Sequence, residues 1–337
     1  MGMILRPLLE GMQMTNNAPT NLTHRNAQQY TPTASSLGVA TAANPWANIV
    51  ETPPAPKETN DLLSSGTPFL DKQTALLSAD TGVVKICIDR LSPASDQLEV
   101  LSKLSNSKYS WTLAELQSVH QILRSFMSED KQMSFALMLL RLAVLREPSS
   151  TEESESIELV ADLLLDDKLG SPTNCSLAWC VLSNAIGSKQ LPSWATTEGN
   201  GQSSKFLQLV DRAVNDCDPS SSDAKIRGSA SAFLYNTACQ LTGDSNGNDG
   251  ADGSNGELSE ATMSILIGCL EKLGNGETDD VTLITRLYMC IGQILGNSKT
   301  AVLLVKDLGM ADVIGNESHH KLSKDVQTLS KEVASLL

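Results

Sequence analysis

From about residue 61 to the C-terminus, apolar residues recur at three- and four-residue spacing. No segment alternates apolar and polar residues as a half-buried strand does. That period constrains the chain more than any other feature. It predicts an all-α fold, with helices over residues 80–90, 95–105, 112–127, 130–146, 155–166, 174–188, 203–216, 223–241, 258–273, 280–296, 299–307 and 320–336. The segment WTLAELQSVHQILRSFM shows the logic. Thr112 caps, Glu115 completes a capping box, and Leu113, Leu116, Val119, Ile122, Leu123 and Phe126 form one apolar stripe. Aromatics are only 4% of the chain, so Leu, Ile, Val and Ala must build the core.

The helical segments repeat. LLRLAVL from Leu139, VLSNAIG from Val181, FLYNTAC from Phe233 and CIGQILG from Cys290 can be laid over one another. One column then holds Leu142, Asn184, Asn236 and Gln293, at intervals of 42, 52 and 57 residues. The two longer intervals contain polar insertions around 190–202 and 242–257. Without them the period approaches the roughly 40–47 residues of armadillo or HEAT units. Stacked helix pairs of that kind form a superhelix whose concave face binds extended peptides.

Residues 1–60 differ. Rich in Asn, Thr, Ala, Pro and Gln and without a period, they read as a disordered tail or linker, leaving 61–337 as the folded domain. NPWANIV (44–50) places a lone Trp46 there, either as a short docking motif or as a local contact.

Charge and chemistry narrow the function. A net charge of −14 repels nucleic acid and anionic membranes. No apolar run nears the roughly 18 residues of a membrane span. The seven cysteines are scattered, without a C-x-x-C, and read as reduced core residues of a cytosolic or nuclear protein. The loop from Asp244 places Asp249 and Asn255 where a calcium loop needs Gly and Glu, so a solvated loop is expected. His24, His120, His319 and His320 form no metal constellation and read as solvated or structural. There is no nucleophile elbow, phosphate loop or dinucleotide fingerprint. No cofactor, no metal and no catalytic residue are expected.

What remains are polar residues inside apolar helices. Arg141 interrupts FALMLLRLAVL, Arg227 lies in KIRGSASAFLYN, Arg286 lies in TLITRLYMCIGQIL, and Asn184 and Asn236 share a repeat column. Two readings stand. The arginines either snorkel or pair with neighbouring carboxylates while the asparagines bond to backbone between helices, or the arginines line a groove and fork onto a carboxylate or phosphate of a bound tail.

The ordered segments SEDKQMSFALMLLRLAVLREP, TNCSLAWCVLSNAIGSK, IRGSASAFLYNTACQL and TRLYMCIGQILGNSKTAVLLVKDLGM, preceded by WTLAELQSVHQILRSF, resemble the successive helices of the PUL domain. That family is known from phospholipase-activating protein and its yeast counterparts, and the resemblance covers about residues 65–337. It implies an armadillo-like fold with a concave basic groove. It also implies a noncatalytic role in ubiquitin-dependent protein turnover, binding the C-terminal tail of the valosin-containing-protein type of AAA ATPase. By motif the groove arginines fall on Arg141 and Arg286. Cys180 stands where the family often carries an arginine, which implies lower groove charge. The domains that usually precede a PUL domain are not in this sequence, so it reads as a free-standing PUL protein or as part of a longer chain. The alternatives are an armadillo-like scaffold for another peptide and the C-terminal part of a multidomain thiol peptidase or thioredoxin-type protein.

Overall fold

The computed structural model describes residues 81–106, 109–146, 155–187, 205–220, 222–243, 259–275, 278–316, 319 and 321–337. The expected tail with Trp46 and His24, the loop from Asp244 and His320 lie outside them. The chain divides into two units, Met1–Ile49 and Val50–Leu337, and every described residue belongs to the second.

The described residues are helical, with no strand among them. The helices are α1 (Thr81–Leu91), α2 (Ser95–Ser102), α3 (Leu113–Phe126), α4 (Asp130–Val144), α5 (Glu155–Leu165), α6 (Pro172–Gly187) and α7 (Lys205–Asp216). They continue as α8 (Ala224–Gly243), α9 (Glu260–Asn275), α10 (Val281–Asn297), α11 (Lys299–Asp307), α12 (Ala311–Ile314) and α13 (Lys324–Ala334).

Local chemistry sets their limits. The Thr112 hydroxyl accepts from the Glu115 amide while the Glu115 carboxylate accepts from the Thr112 amide, so the capping box is formed. Asp280, Ser298 and Ser323 cap α10, α11 and α13 by accepting from Leu283, Ala301 and Val326. Gly309, at φ +68°, ends α11: its amide bonds to the Lys306 carbonyl and that of Met310 to the Val305 carbonyl. This left-handed closure suits a residue without a Cβ.

Three expectations need correction. Residues 95–105 are α2 followed by a tight 3-10 turn over Lys103–Ser105. The segment expected as one helix over 320–336 begins only at Lys324, because Ser323 caps there, and the short α12 precedes it. Leu113 is exposed; α3 buries Leu116, Val119, His120 and Leu123, because Leu113 stands in the first turn, ahead of the packed part of the helix.

The helices pack as two rows. The first row runs α1, α4, α6, α8, α10, α13, and the second runs α2, α3, α5, α7, α9, α12. Each member touches the next in its row, and α3/α4, α5/α6, α7/α8 and α9/α10 touch as pairs across the rows. The C-terminal end is closed by Tyr288, whose hydroxyl bonds to the Ile314 carbonyl at 3.0 Å and to Nδ1 of buried His319 at 2.9 Å. His319 is therefore structural, and His120 is buried in α3.

Candidate functional site

Polar side chains link the first-row helices at two levels. At the C-terminal level, Asn184 Nδ2 of α6 donates to the Arg141 carbonyl of α4 at 3.1 Å. Asn236 Nδ2 of α8 donates to the Ser183 carbonyl of α6 at 2.8 Å and to its Oγ at 2.9 Å. Gln293 Nε2 of α10 donates to Thr242 Oγ1 of α8 at 3.0 Å. This is the column that the repeat alignment defined.

A second level lies nearer the N-terminal ends. Ser134 Oγ donates to Asn174 Oδ1 at 2.5 Å, joining α4 to α6. Ser176 Oγ donates to the Lys225 carbonyl at 3.1 Å, and Ser229 Oγ donates to Ser176 Oγ at 3.2 Å, joining α6 to α8. Arg286 Nη1 of α10 donates to the Gly228 carbonyl and, at 3.3 Å, to Ser231 Oγ of α8. Early residues meet early residues and late meet late, so α4, α6, α8 and α10 run parallel. The sequence reading missed this level, although Ser134, Ser176, Gly228 and Thr285 share one column of the same alignment.

The two levels separate the candidate arginines. Ser134 and Arg141 are seven residues apart, as are Arg286 and Gln293. Seven residues rise about 10 Å along a helix. Arg141 stands at the level of Gln293, and Arg286 at the level of Ser134; the structure does not bring the two to one height. Nor are they open. Arg141 is 4% exposed and Arg286 7%, and Asn184 and Asn236 are 1% each, whereas a groove lining was expected. The asparagines are turned between helices, toward the carbonyls they bond. Burial pulls the Arg286 guanidinium down to about 10, against smaller opposing effects of Cys180 and Asp280.

Arg227 lies at a third place. Its Nε pairs with Asp280 Oδ2 at 3.4 Å, and its Nη1 donates to the Ser222 and Pro219 carbonyls. Because Asp280 also caps α10, Arg227 ties the start of α8 to the start of α10.

Burial pushes the Cys87 thiol up to about 12 and that of Cys239 to about 11, and raises Cys217 and Cys290 well above the usual range. A raised thiol is a poor nucleophile at neutral pH. Among the described residues, no group of three or more His, Cys, Asp or Glu is placed to hold a metal ion. No described helix is long and apolar enough to cross a membrane. No family model, curated protein or solved structure matches the chain.

Proposed function

We propose that this chain is a noncatalytic, PUL-like binding module with an armadillo- or HEAT-like superhelical repeat, whose first row of helices takes the C-terminal tail of a valosin-containing-protein type AAA ATPase. It would work in ubiquitin-dependent turnover in the cytosol or nucleus. The observation that carries the reading is the parallel first row, with an arginine built into α4 and another into α10 and the polar side chains of α6 and α8 between them. Both guanidinium groups are buried, so a tail along that row would have to open the face to reach them at their two heights, each then able to fork onto a carboxylate. The resemblance of the ordered motifs to PUL domains supplies the partner. The raised thiols speak against a cysteine nucleophile.

The test is calorimetric titration of the full chain with a peptide of the ATPase tail. Charge-assisted hydrogen bonds contribute about 1.5–3 kcal/mol each, so Arg141→Ala and Arg286→Ala should each weaken binding roughly tenfold or more. Thermal melting of each variant separates lost binding from lost fold. Absence of binding by the folded wild-type chain sinks the reading.

One observation favours a second reading, a helical-repeat scaffold for a less acidic peptide. The column through Met138, Cys180, Ala232 and Met289 is apolar in all four first-row helices, with Cys180 where the resemblance leads one to expect an arginine. Stronger binding of an apolar, aromatic-rich peptide than of the ATPase tail decides for it.

A further inference from the structure

α11 stands apart from both rows. It is the link from α10, in the first row, to α12, in the second, and it packs mainly against α10. Ala301 and Val305 form its buried side. With roughly 100° between successive residues, the direction opposite them passes through Leu303. Leu303 is 61% exposed, the highest of any large apolar side chain among the described residues, and Leu308, just past the helix end, follows at 49%. Lys299, Leu303 and Lys306 succeed one another at i, i+4 and i+7, so they form one stripe on the outer face, with half-buried Val302 along its edge. Both lysines are exposed, and among the described residues neither enters an ion pair.

We propose that this stripe docks a segment of a partner protein that carries two carboxylates about 10 Å apart, with a large apolar side chain between them; the separation is that of lysines seven residues apart on a helix. A single exposed leucine would need no explanation; the charge around this one sets it apart. The chain carries −14 overall, so most of its surface turns an acidic segment away. The other links from the first row to the second, residues 147–154, 188–204 and 244–258, are acidic or neutral in sequence, with Lys189 as their one cation. α11 instead holds two lysines against one aspartate, Asp307. In the second-row helices the cations are answered within the chain: Arg124 by Glu155, Lys205 by Glu158, Arg212 by Asp167 and Lys272 by Asp218. Lys299 and Lys306 are left for carboxylates from outside, on either side of an apolar contact. The helix is also fixed in advance, capped by Ser298 and closed by left-handed Gly309, so docking orders little backbone. The simplest occupant is an acidic amphipathic helix with Asp or Glu at i and i+7 and Leu or Phe between them. This docking does not rest on the tail binding proposed above and involves different residues.

The test is peptide display against the full chain, followed by fluorescence anisotropy with the peptide selected. Selected sequences should combine a large apolar residue with flanking Asp or Glu. Leu303→Asp should weaken binding of that peptide about tenfold or more. Lys299→Glu together with Lys306→Glu should also weaken it about tenfold, and should remove the loss of affinity that wild type shows as salt rises. Both variants should melt with wild type, because the three side chains project outward. If Leu303→Asp melts early, the lysine pair decides, since neither lysine enters a described ion pair. Selection of no peptide, or of basic or uncharged ones, overturns the proposal, as does a selected peptide that binds both variants as it binds wild type. Self-association of wild type in sedimentation that Leu303→Asp abolishes gives the face to a second copy of the chain and overturns the acidic partner. None of these outcomes touches the ATPase tail, whose titration is read through Arg141 and Arg286.

Discussion

The two rows of helices are held together by different chemistry. In the first row, partners are buried and neutral for the most part: Asn184 on a carbonyl, Asn236 on a serine, Gln293 on a threonine. In the second row, the corresponding links lie near solvent and are mostly ion pairs. Arg124 of α3 pairs with Glu155 of α5, Lys205 of α7 pairs with Glu158 and Asp162 of α5, and Ser264 of α9 donates to Asp211 of α7. The difference follows from burial. α4, α6 and α10 bury residues around most of their circumference, so a polar group there must find a partner within the protein. α3, α5 and α7 keep one face in water, where charges are cheap and their pairing contributes little.

The largest effect is expected where the rows meet. Trp179 of α6 packs against Phe233 of α8 in a tilted ring contact with centroids 4.9 Å apart, and its Nε1 donates to Asp216 Oδ2 of α7 at 2.8 Å. Trp179→Ala should cost about 3–5 kcal/mol in denaturant unfolding. A smaller loss would mean that the rows are joined elsewhere. Next comes a rung of the first row. Asn236→Ala removes two buried hydrogen bonds to Ser183, at about 1–3 kcal/mol. If this variant unfolds at the wild-type denaturant concentration, the polar ladder contributes no stability and the contrast between rows fails.

The second row should respond less. Lys205→Met removes two carboxylate partners at 2.7 and 2.8 Å, yet these lie near solvent, so about 1 kcal/mol or less is expected, shrinking further in high salt. Asn236→Ala should show no comparable salt dependence.

The smallest effect concerns pH. Hydrogen bonds from Lys103 first, then Tyr109 and Thr112, hold the Glu115 carboxyl down at about 2, against an ordinary value of 4.5. Above 4.5 neither the folded nor the unfolded chain is protonated at this site; between 4.5 and 2 the unfolded chain takes up the proton first. The stabilisation from Glu115 is thus complete above 4.5 and is lost as the pH falls toward 2. Glu115→Gln should flatten that part of the acid limb of the melting curve. An acid limb identical to wild type excludes this cause.

Much of the fold was legible because its signals are local. The Thr112–Glu115 box joins residues three apart, so a linear reading finds it; the Ser323 cap is as local, yet the sequence reading passed over it and began that helix too early. The column of Asn184, Asn236 and Gln293 was legible as a repeat. The serine level below it was not, because Ser134, Ser176 and Ser229 look like ordinary surface residues until helices some forty to fifty residues apart in sequence are laid side by side. The candidate arginines illustrate the same limit. All three broke apolar patterns and stood out equally. Arg227 proved to pair with Asp280, 53 residues away, while Arg286 reaches a carbonyl 58 residues back.

The one-dimensional pattern was enough to specify an all-α chain, most helix limits and a recurring polar column, since periodicity and capping depend on residues within a turn or two of one another. Tertiary packing alone decided that Arg141 and Arg286 are both buried, and which carbonyls the asparagines meet. Those outcomes depend on how parallel helices align across long intervals of chain, and no spacing within a single helix encodes that alignment.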